Sequence, residues 1–584
     1  MVDSAVKITP AFSGQPLGRP DGLRARLKRL EPALGVWLLL IGLLVFLVVG
    51  PLLMLVVQSF EHEGGAGYTL GNYVAAFANE HHLEALKNSL LLGAGVAALA
   101  AVFGVPLAWA VSRTDMPGKD LVRLMVLGAF VTPPYLGAIG WILLAGPNAG
   151  WINRLWMALS GAEHGIVNIF TFPGLILSIA VYSFPYIFIF TSAALDAVSS
   201  EMEDAAHILG SGGLRTTLKV TLPLVWPAIL GGLIISFLEA IALFGTPAII
   251  GLPARINVVT TQLWQLFEYP VRAEVAAAFA MPLLGITAVL FWVQRKTFGR
   301  KSFVTITGKG GERRLIKLGH WRWLALGYVA FVAAISVVLP FIVLAQAAFS
   351  RAWGRGFSLA NLTLSNFHYV LVEHTTAGRS IIHSFTYAAA TASIALVLAL
   401  VVAYIVNRRL LPWSGVLAFL CVAPFVIPGI VLALGYYAAY ASPPIQLYGT
   451  AALVVLAFTT RFLPIAYTNS DAAMRSLNPE MEDAVRILGG GRLTALGKVV
   501  APLLRRSLIG GWILVFIPAT RELSAAIFLT GPDTQVMSVV LYELSGEGNF
   551  EYVAALGGVL LVATVVIVAV SSRLVGRDFM LRRG

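Results

Sequence analysis

Long apolar stretches with few charges recur from one end of this chain to the other, and they limit its fold more than any other feature. About 20 consecutive apolar residues are enough to cross the hydrocarbon core of a bilayer as a helix. Only 12% of the 584 residues are charged and 58% are hydrophobic, whereas a soluble domain carries about 25% charged residues. The composition therefore excludes a soluble multidomain enzyme and predicts an all-α integral membrane protein.

Twelve segments have the length and composition of membrane spans, in two sets of six. The first is too long for the apolar core of a cleaved signal, so we expect it to remain as a span. The fourth contains Pro173 and Pro185, which membrane helices tolerate when neighbouring helices satisfy the freed backbone groups. The predicted spans are 34–57, 86–111, 121–145, 168–194, 227–250 and 275–294, followed by 323–348, 381–406, 414–440, 446–469, 507–530 and 552–572.

Lysine and arginine are concentrated on one side of these spans. When the loops are assigned alternately to two faces, 32 of the 41 basic residues fall on one face. The positive-inside rule places that face, and with it both termini, in the cytoplasm. The net charge of +12 then reflects topology and an anionic inner leaflet, so we expect a lipid bilayer and no nucleic acid as partner.

A polar, Gly- and Lys/Arg-rich segment at 298–320 separates two halves of six spans each. The chain is therefore predicted to consist of a cytoplasmic tail at 1–33, a first membrane domain at 34–297, the linker, a second membrane domain at 321–573, and a cytoplasmic tail at 574–584.

The two halves share a short sequence repeat. "EMEDAAHILGSGG" begins at Glu201 and "EMEDAVRILGGGR" at Glu480, 279 residues later. Each copy follows the fourth span of its half, so both lie on the same face of the membrane. Weaker echoes, "PLAWAVSRTDMPG" at 106 and "VVAYIVNRRLLPW" at 401, end the second span of each half. The halves are therefore predicted to be parallel repeats related by an axis along the membrane normal.

Each copy of the repeat predicts a short amphipathic helix with an acidic first turn and an apolar stripe. Gly210 and Gly489 stand where a left-handed residue would end that helix. Such a helix could lie on lipid, pack on its own chain, or dock into a partner. An anionic leaflet repels the acidic turn, and duplication suits two equivalent sites on a symmetric partner. Docking is therefore favoured, with packing on its own chain as the alternative.

The repeated loop resembles the EAA motif of ABC importer permeases, in which this loop fits a cleft of the ATPase subunit. The resemblance implies that loops 199–226 and 478–506 couple two permease domains to two copies of an ABC ATPase. Val485 and Ala501 depart mildly from the motif. The matching residues are Glu203, Ala205, Ala206, Gly210 and Pro223 in the first loop, and Glu482, Ala484, Gly489 and Pro502 in the second.

The ATPase itself is not encoded in this sequence, because no G-x-x-x-x-G-K-[ST] motif occurs. We therefore predict no catalytic residues and no cofactor in this chain, with ATP and Mg²⁺ bound by the separate ATPase. The resemblance also implies an external substrate-binding protein and location in the inner (cytoplasmic) membrane. The clustered His and Glu of "NEHHLE" (79–84) are interpreted as solvated loop residues, so no metal site is predicted.

The substrate is suggested by two further stretches. "LFGTPAIIG" (243–251) and "RELSAAIFLTG" (521–531) resemble sequences in fused permeases of the ferric-iron type, whose relatives move polyamines, thiamine or phosphonates. Charged groups inside spans are costly and often functional. A carboxylate in the path would favour a cation. The candidates for the substrate path are Glu239, Arg461, Arg521 and Glu522, and the alternative for each is an interhelical ion pair or an interfacial side chain.

A different class, an ion-coupled secondary transporter with two parallel six-span halves, is the other hypothesis. It would need intramembrane carboxylates or histidines for ion coupling, and only Glu239 and Glu522 qualify. The repeated loop has no role in such a transporter, so the sequence favours the ABC importer permease.

Overall fold

The computed structural model describes residues 35–62, 67–198, 200–298, 315–411, 413–487 and 489–575. The predicted N-terminal tail, the linker residues 299–314 and residues 576–584 of the C-terminal tail lie outside the described residues. Within the described ranges the chain is almost entirely helical and contains no β-strand beyond three isolated bridges. The predicted all-α class is confirmed.

The first half contains ten principal helices. Five of them are long and apolar enough to cross a membrane alone, and α3 and α4 together form a bent pair with the same property. The helices are α1 (Gly35–Phe60), α2 (Glu80–Arg113), α3 (Lys119–Val131), α4 (Pro134–Ala145), α5 (Trp151–Ser160), α6 (Phe172–Ala197), α7 (Ser200–Ile208), α8 (Thr217–Ala242), α9 (Val259–Gln265) and α10 (Ala273–Phe298).

The second half repeats this order, apart from a counterpart of α5. Its five single spans and one bent pair complete ten membrane-crossing helices and two bent pairs among the described residues. The helices are α11 (Gly319–Ala348), α12 (Thr375–Asn407), α13 (Ser414–Val426), α14 (Gly429–Tyr440), α15 (Ala451–Arg475), α16 (Glu480–Ile487), α17 (Leu496–Thr520), α18 (Met537–Gly546) and α19 (Phe550–Val575).

The third span of each half is broken rather than continuous. Segment 121–145 bends by 100° between α3 and α4, and segment 414–440 bends by 114° between α13 and α14. Thr132 and Ile427, the residues at the two breaks, adopt extended backbone angles. Each precedes a proline, which disfavours the helical conformation of the residue before it. Apolar composition predicted the two segments, whereas the change of direction depends on Pro133 and Pro428.

The fifth span of each half ends earlier than predicted. Segment 227–250 leaves the helix after Ala242, and segment 507–530 leaves it after Thr520. The chain continues as irregular backbone with one short turn, Pro247–Gly251 or Ala526–Leu529. Irregular backbone at membrane depth occurs where it is covered by protein or lines a cavity, so these two breaks mark the interior of the bundle.

The first helix of each half packs against the bent pair of the other half. A Cβ atom on Gly435 of α14 would lie 2.7 Å from the carbonyl oxygen of Pro51 in α1. In the matching contact, a Cβ atom on Gly140 of α4 would lie 3.1 Å from the Cβ of Pro340 in α11. Glycine at both positions permits this close approach. These two contacts, each between the first helix of one half and the bent pair of the other, hold the halves together around their shared interior.

Candidate functional site

A cavity of about 1130 Å³ lies between the two halves. Its lining comes from helices α3, α4, α6, α8, α10, α13, α15 and α17 and from the broken segments that follow α3, α8, α13 and α17. All of the predicted substrate-path residues line it, namely Glu239, Arg461, Arg521 and Glu522.

The cavity extends from the broken segments toward the end of the bundle that carries the repeated loops. Its lining includes Arg123, near the start of α3, and Asp196, at the end of α6. At its other end, Tyr135, Gly245 and Leu523 meet. A Cβ atom on Gly245 would lie 2.9 Å from both the Leu523 side chain and the Cβ of Tyr135. Glycine in "LFGTP" therefore allows the two halves to close the cavity at this point.

Both carboxylate oxygens of Glu522 have a partner within the chain. Its Oε2 lies 2.8 Å from Arg461 Nε, and its Oε1 accepts a hydrogen bond of 3.0 Å from the Ala525 backbone N–H. The guanidinium of Arg461 in turn lies against the first residue of α14, since a Cβ atom on Gly429 would be 2.7 Å from Arg461 Cζ. The pair therefore holds the second break in place, and its charges neutralise each other.

Arg521 joins the second half to the break in the first half. Its Nη1 donates to the carbonyl oxygens of Phe130, Val131 and Thr132 at 2.8, 2.7 and 3.2 Å. These carbonyls end helix α3, where the last turn has no partner of its own and carries partial negative charge. Arg521 therefore caps α3 from the other half of the molecule.

Glu239 has no such partner. Among the residues the structure describes, no hydrogen bond or ion pair reaches its carboxylate, and Arg461 and Arg521 act on it only through longer-range electrostatics. Of the four predicted residues, Glu239 is thus the one whose carboxyl group has no described partner and remains available to a bound molecule. The sequence did not distinguish it from Glu522, because pairing depends on which helices face each other.

The repeated loops fold as the sequence predicts. Each contains a short helix, α7 or α16, followed by Gly210 at φ +81° or Gly489 at φ +82°. The Asn478 side chain caps α16 by accepting the Glu480 N–H at 3.1 Å. A second short helix follows in each loop, Gly213–Thr216 or Arg492–Ala495, before Pro223 or Pro502 enters the next span.

One glutamate of each loop, Glu203 or Glu482, points into its own chain, whereas Glu201 and Glu480 are exposed. Glu203 is 8% exposed and Glu482 is 7% exposed. Arg408 Nε donates to Glu482 Oε1 at 2.6 Å, while Arg113 Nη1 lies 3.5 Å from Glu203 Oε2. Thr221 adds a hydrogen bond of 2.6 Å to Glu203. Each loop is therefore anchored to the end of the second span of its own half.

Sequence reasoning did not single out Arg113 and Arg408. A signal for them exists, because the two arginines occupy the same position in the echoes "PLAWAVSRTDMPG" and "VVAYIVNRRLLPW". Their charge was counted as part of the topology signal instead. Their pairing with the glutamates follows only from the packing of each loop under its own half.

The same loops expose apolar side chains. Ile208 is 86% exposed and Ile487 is 85% exposed, and Leu209, Met202 and Met481 are also exposed. Ala205 and Ala484 lie on the exposed surface as well, while Ala206 is half-buried. Each loop thus turns one glutamate, Glu203 or Glu482, inward and several large apolar residues outward.

The positive φ of the loop glycines gives a direct test of loop geometry. Nothing lies within 4 Å of a Cβ atom on Gly210 or Gly489, so backbone conformation alone opposes substitution. Proline, which fixes φ near −65°, should displace both loops in the Gly210→Pro, Gly489→Pro variant. We expect normal membrane insertion but substrate uptake reduced at least about tenfold, since strain at each site is of order 1–3 kcal/mol. The reduction would be measured as substrate uptake by proteoliposomes that contain the permease and its ATPase.

The matched control for that variant is Gly212→Ala with Gly491→Ala. These glycines are in the same loops, have no contact at the Cβ position and do not adopt positive φ. The control should transport like the wild type, and equal uptake by both variants would contradict the role of the left-handed turn.

This chain is similar in sequence to known membrane transport proteins. Residues 32–301 match the family model described as "Binding-protein-dependent transport system inner membrane component". The ferric transport system permease protein FbpB of Actinobacillus pleuropneumoniae is 25% identical over 93% of this chain and 78% of its own length.

Two shorter relatives match about one third of the chain. The molybdenum transport system permease protein ModB of Escherichia coli is 30% identical, over 36% of this chain and 96% of its own length. The sulfate transport system permease protein CysW of Synechococcus elongatus is 28% identical, over 37% of this chain and 71% of its own length. With its two six-span halves and their repeated loops, this chain belongs to the family of binding-protein-dependent transport system inner membrane components and is the permease of an ABC importer.

Proposed function

We propose that this permease imports ferric iron across the inner membrane. In this proposal an external binding protein delivers the iron, and two copies of a separate ATPase, which bind ATP and Mg²⁺, dock at the two repeated loops. The observation that carries the substrate is the relative named for ferric transport, whose similarity extends over 93% of the chain, together with an unpaired carboxylate in the cavity between the halves.

Import of an oxyanion is the second candidate, since relatives named for molybdenum and sulfate transport also match. Arg461 and Arg521 line the cavity and could attract an anion. However, Arg461 is paired with Glu522, and Arg521 is bound to three carbonyl oxygens. Glu239 has no hydrogen-bond or ion-pair partner among the described residues, and an ionised carboxylate there would attract a cation and repel an anion. This carboxyl group is the feature of the cavity that favours a cation.

The exposed apolar face of each loop supports the proposal that ATPase subunits dock there. Exposed large apolar residues on a loop that is held rigidly from inside are typical of a surface completed by another protein. There are two such loops, one in each half, so two equivalent ATPase subunits fit them. The self-packing alternative accounts for the buried glutamates but leaves Ile208 and Ile487 uncovered.

The test is uptake by proteoliposomes that contain the permease and its ATPase, supplied with the binding protein. Radiolabelled ferric iron should accumulate only when ATP is present on the ATPase side. Sulfate and molybdate should neither accumulate nor compete. If a labelled oxyanion, polyamine or thiamine accumulates and iron does not, the ferric proposal fails.

The proposed orientation has its own test. Single cysteines at positions 302 and 365 would be introduced in a Cys421→Ala background, which removes the buried native thiol. Ser365 lies at the start of a short helix between α11 and α12, whereas position 302 lies outside the described residues. An impermeant thiol reagent applied to intact cells should label position 365 alone. Labelling of position 302 would reverse the assigned topology.

A further inference from the structure

We infer that Asp471 is a positioning residue that connects the second repeated loop to the wall of the cavity. It lies near the end of α15, the helix that also carries Arg461. The inference rests on the proposed docking of an ATPase at the repeated loops, because it describes how a movement of one loop reaches the cavity. It does not depend on which substrate is imported.

Asp471 has one partner on each carboxylate oxygen. Asn407 Nδ2 donates to its Oδ1 at 2.7 Å, and Arg475 Nη2 lies 2.9 Å from its Oδ2. The side chain of Arg475 is 71% exposed, whereas that of Asp471 is 17% exposed, and an ion pair with an exposed partner contributes little. The hydrogen bond from Asn407 is therefore the stronger connection, and it joins the ends of two helices, α12 and α15.

Asn407 directly precedes the residue that anchors the second loop. That residue, Arg408, donates from Nε to Glu482 Oε1 at 2.6 Å. Asn407 also donates to the carbonyl oxygen of Ala403 at 2.9 Å, which holds its amide group against the last turn of α12. Two consecutive residues at one helix end thus bind the second loop on one side and α15 on the other.

Helix α15 continues the connection to the cavity. Arg461 precedes Asp471 on this helix by ten residues, which corresponds to about 15 Å. Its Nε lies 2.8 Å from Glu522 Oε2, and both residues of this pair line the cavity. Packed helices and hydrogen-bonded side chains can carry such coupling. A displacement of the second loop would therefore shift the helix that holds the Arg461–Glu522 pair.

The first half has a different contact in the same place. With the 279-residue offset of the repeat, Ser192 corresponds to Asp471. Ser112 corresponds to Asn407, since each directly precedes the arginine that anchors its loop. The hydroxyl oxygens of the two serines lie 2.9 Å apart. A hydrogen bond to an ionised group is about twice as strong as one between neutral groups, so the second loop is connected more firmly to its half than the first.

The first measurement follows α15 without any substrate. Ile465 of α15 lines the cavity and is replaced by cysteine in a Cys421→Ala background. The full-length permease and its ATPase are placed in lipid nanodiscs, and the reaction rate with N-ethylmaleimide is compared with and without ATP and vanadate. ATP should change this rate when Asp471 is present. Asp471→Ala should reduce that change about 2- to 30-fold, the range expected for residues of a coupling network.

The second measurement is transport per ATP. Uptake of radiolabelled ferric iron and release of phosphate are measured on the same proteoliposomes. Asp471→Ala should lower the iron imported per ATP hydrolysed by the same factor, while the rate of hydrolysis is retained. A purely structural role would instead lower the rate of hydrolysis and the unfolding temperature together with uptake.

Arg475→Gln is the matched control, because it removes only the exposed partner of Asp471 and should behave like the wild type. Ser112→Ala, which breaks the serine contact of the first half, should have a smaller effect than Asp471→Ala. Asp471→Asn keeps an oxygen acceptor at the same position and should retain more of the response. Adding Asn407→Ala to Asp471→Ala should cause no further loss, since both substitutions remove the same hydrogen bond.

Three results would overturn the inference: a wild-type response in Asp471→Ala, equal effects of Arg475→Gln and Asp471→Ala, or no effect of ATP on the reactivity at position 465 when Asp471 is present. If the ATPase does not bind the wild-type permease in the nanodiscs, the proposed docking fails, and the role of Asp471 fails with it. If the reactivity responds as expected but no iron is imported, the ferric proposal fails and the role of Asp471 stands.

Discussion

Arg408→Ala is expected to abolish coupled transport while leaving the membrane domain folded. The substitution leaves Glu482 buried without its cation, and breaking a buried ion pair in this way costs about 3–5 kcal/mol. Since about 1.4 kcal/mol corresponds to a factor of ten, the anchored position of the second loop should be depopulated by more than about a hundred-fold. Substrate uptake and phosphate release by the ATPase should be measured on the same proteoliposomes. ATP hydrolysis should continue while substrate uptake is lost.

Two further variants make this result specific. Arg409→Asn removes the adjacent arginine, which is exposed and adopts φ +46°, a conformation that asparagine tolerates. This variant should transport normally. Adding Glu482→Gln to Arg408→Ala removes the buried charge and should restore part of the uptake. If Arg408→Ala and Arg409→Asn behave alike, the ion pair does not anchor the loop.

The first loop should respond less strongly. The Arg113 to Glu203 distance of 3.5 Å is longer than the 2.6 Å contact between Arg408 and Glu482. Each glutamate also has a hydroxyl partner, Thr221 for Glu203 and Tyr404 for Glu482, so the difference lies in the arginine contact. The equivalent substitution, Arg113→Ala, should therefore reduce uptake by a smaller factor than Arg408→Ala. The two loops are alike in sequence, but the hydroxyl partners of their glutamates come from different positions, because position 221 is a threonine and the corresponding position 500 is a valine.

Arg521→Gln is expected to have the second large effect. Its guanidinium is the donor for three carbonyl oxygens at the end of α3, and a hydrogen bond that involves a charged group contributes about 1.5–3 kcal/mol. Without it, the break at Thr132 and the closure formed by Tyr135, Gly245 and Leu523 lose their connection to the second half. We expect uptake to fall at least about tenfold and a cysteine placed at Tyr135 to become more reactive toward a soluble thiol reagent.

Arg506→Gln is the control, because Arg506 lies on α17, the helix that immediately precedes Arg521, and its side chain is exposed. It should preserve both uptake and the reactivity at position 135. Arg521→Lys tests geometry against charge, since an ammonium group keeps the charge but not the planar fork of donors. An Arg521→Gln variant with wild-type uptake and unchanged reactivity would show that the cap does not control the closure.

The sequence by itself determined the features that depend on composition and on local backbone chemistry. Apolar length predicted the twelve segments. The repeated loop predicted two equivalent halves, and Gly210 and Gly489 predicted left-handed turns that the structure contains. Each of these follows from residues close together in the chain, where hydropathy, helix capping and the freedom of glycine act without reference to the rest of the fold.

Only the tertiary structure decided which charges meet. From the sequence, Glu239 and Glu522 are equivalent candidates. In the structure Arg461 pairs with Glu522, because α15 and the segment after α17 pack together, while no cation among the described residues forms an ion pair with Glu239. The sequence predicts that Glu203 and Glu482 belong to a docking surface, yet in the structure they face Arg113 and Arg408. Pairing of charges inside a membrane protein depends on contacts between helices that are distant in sequence, and hydropathy contains no information about those contacts.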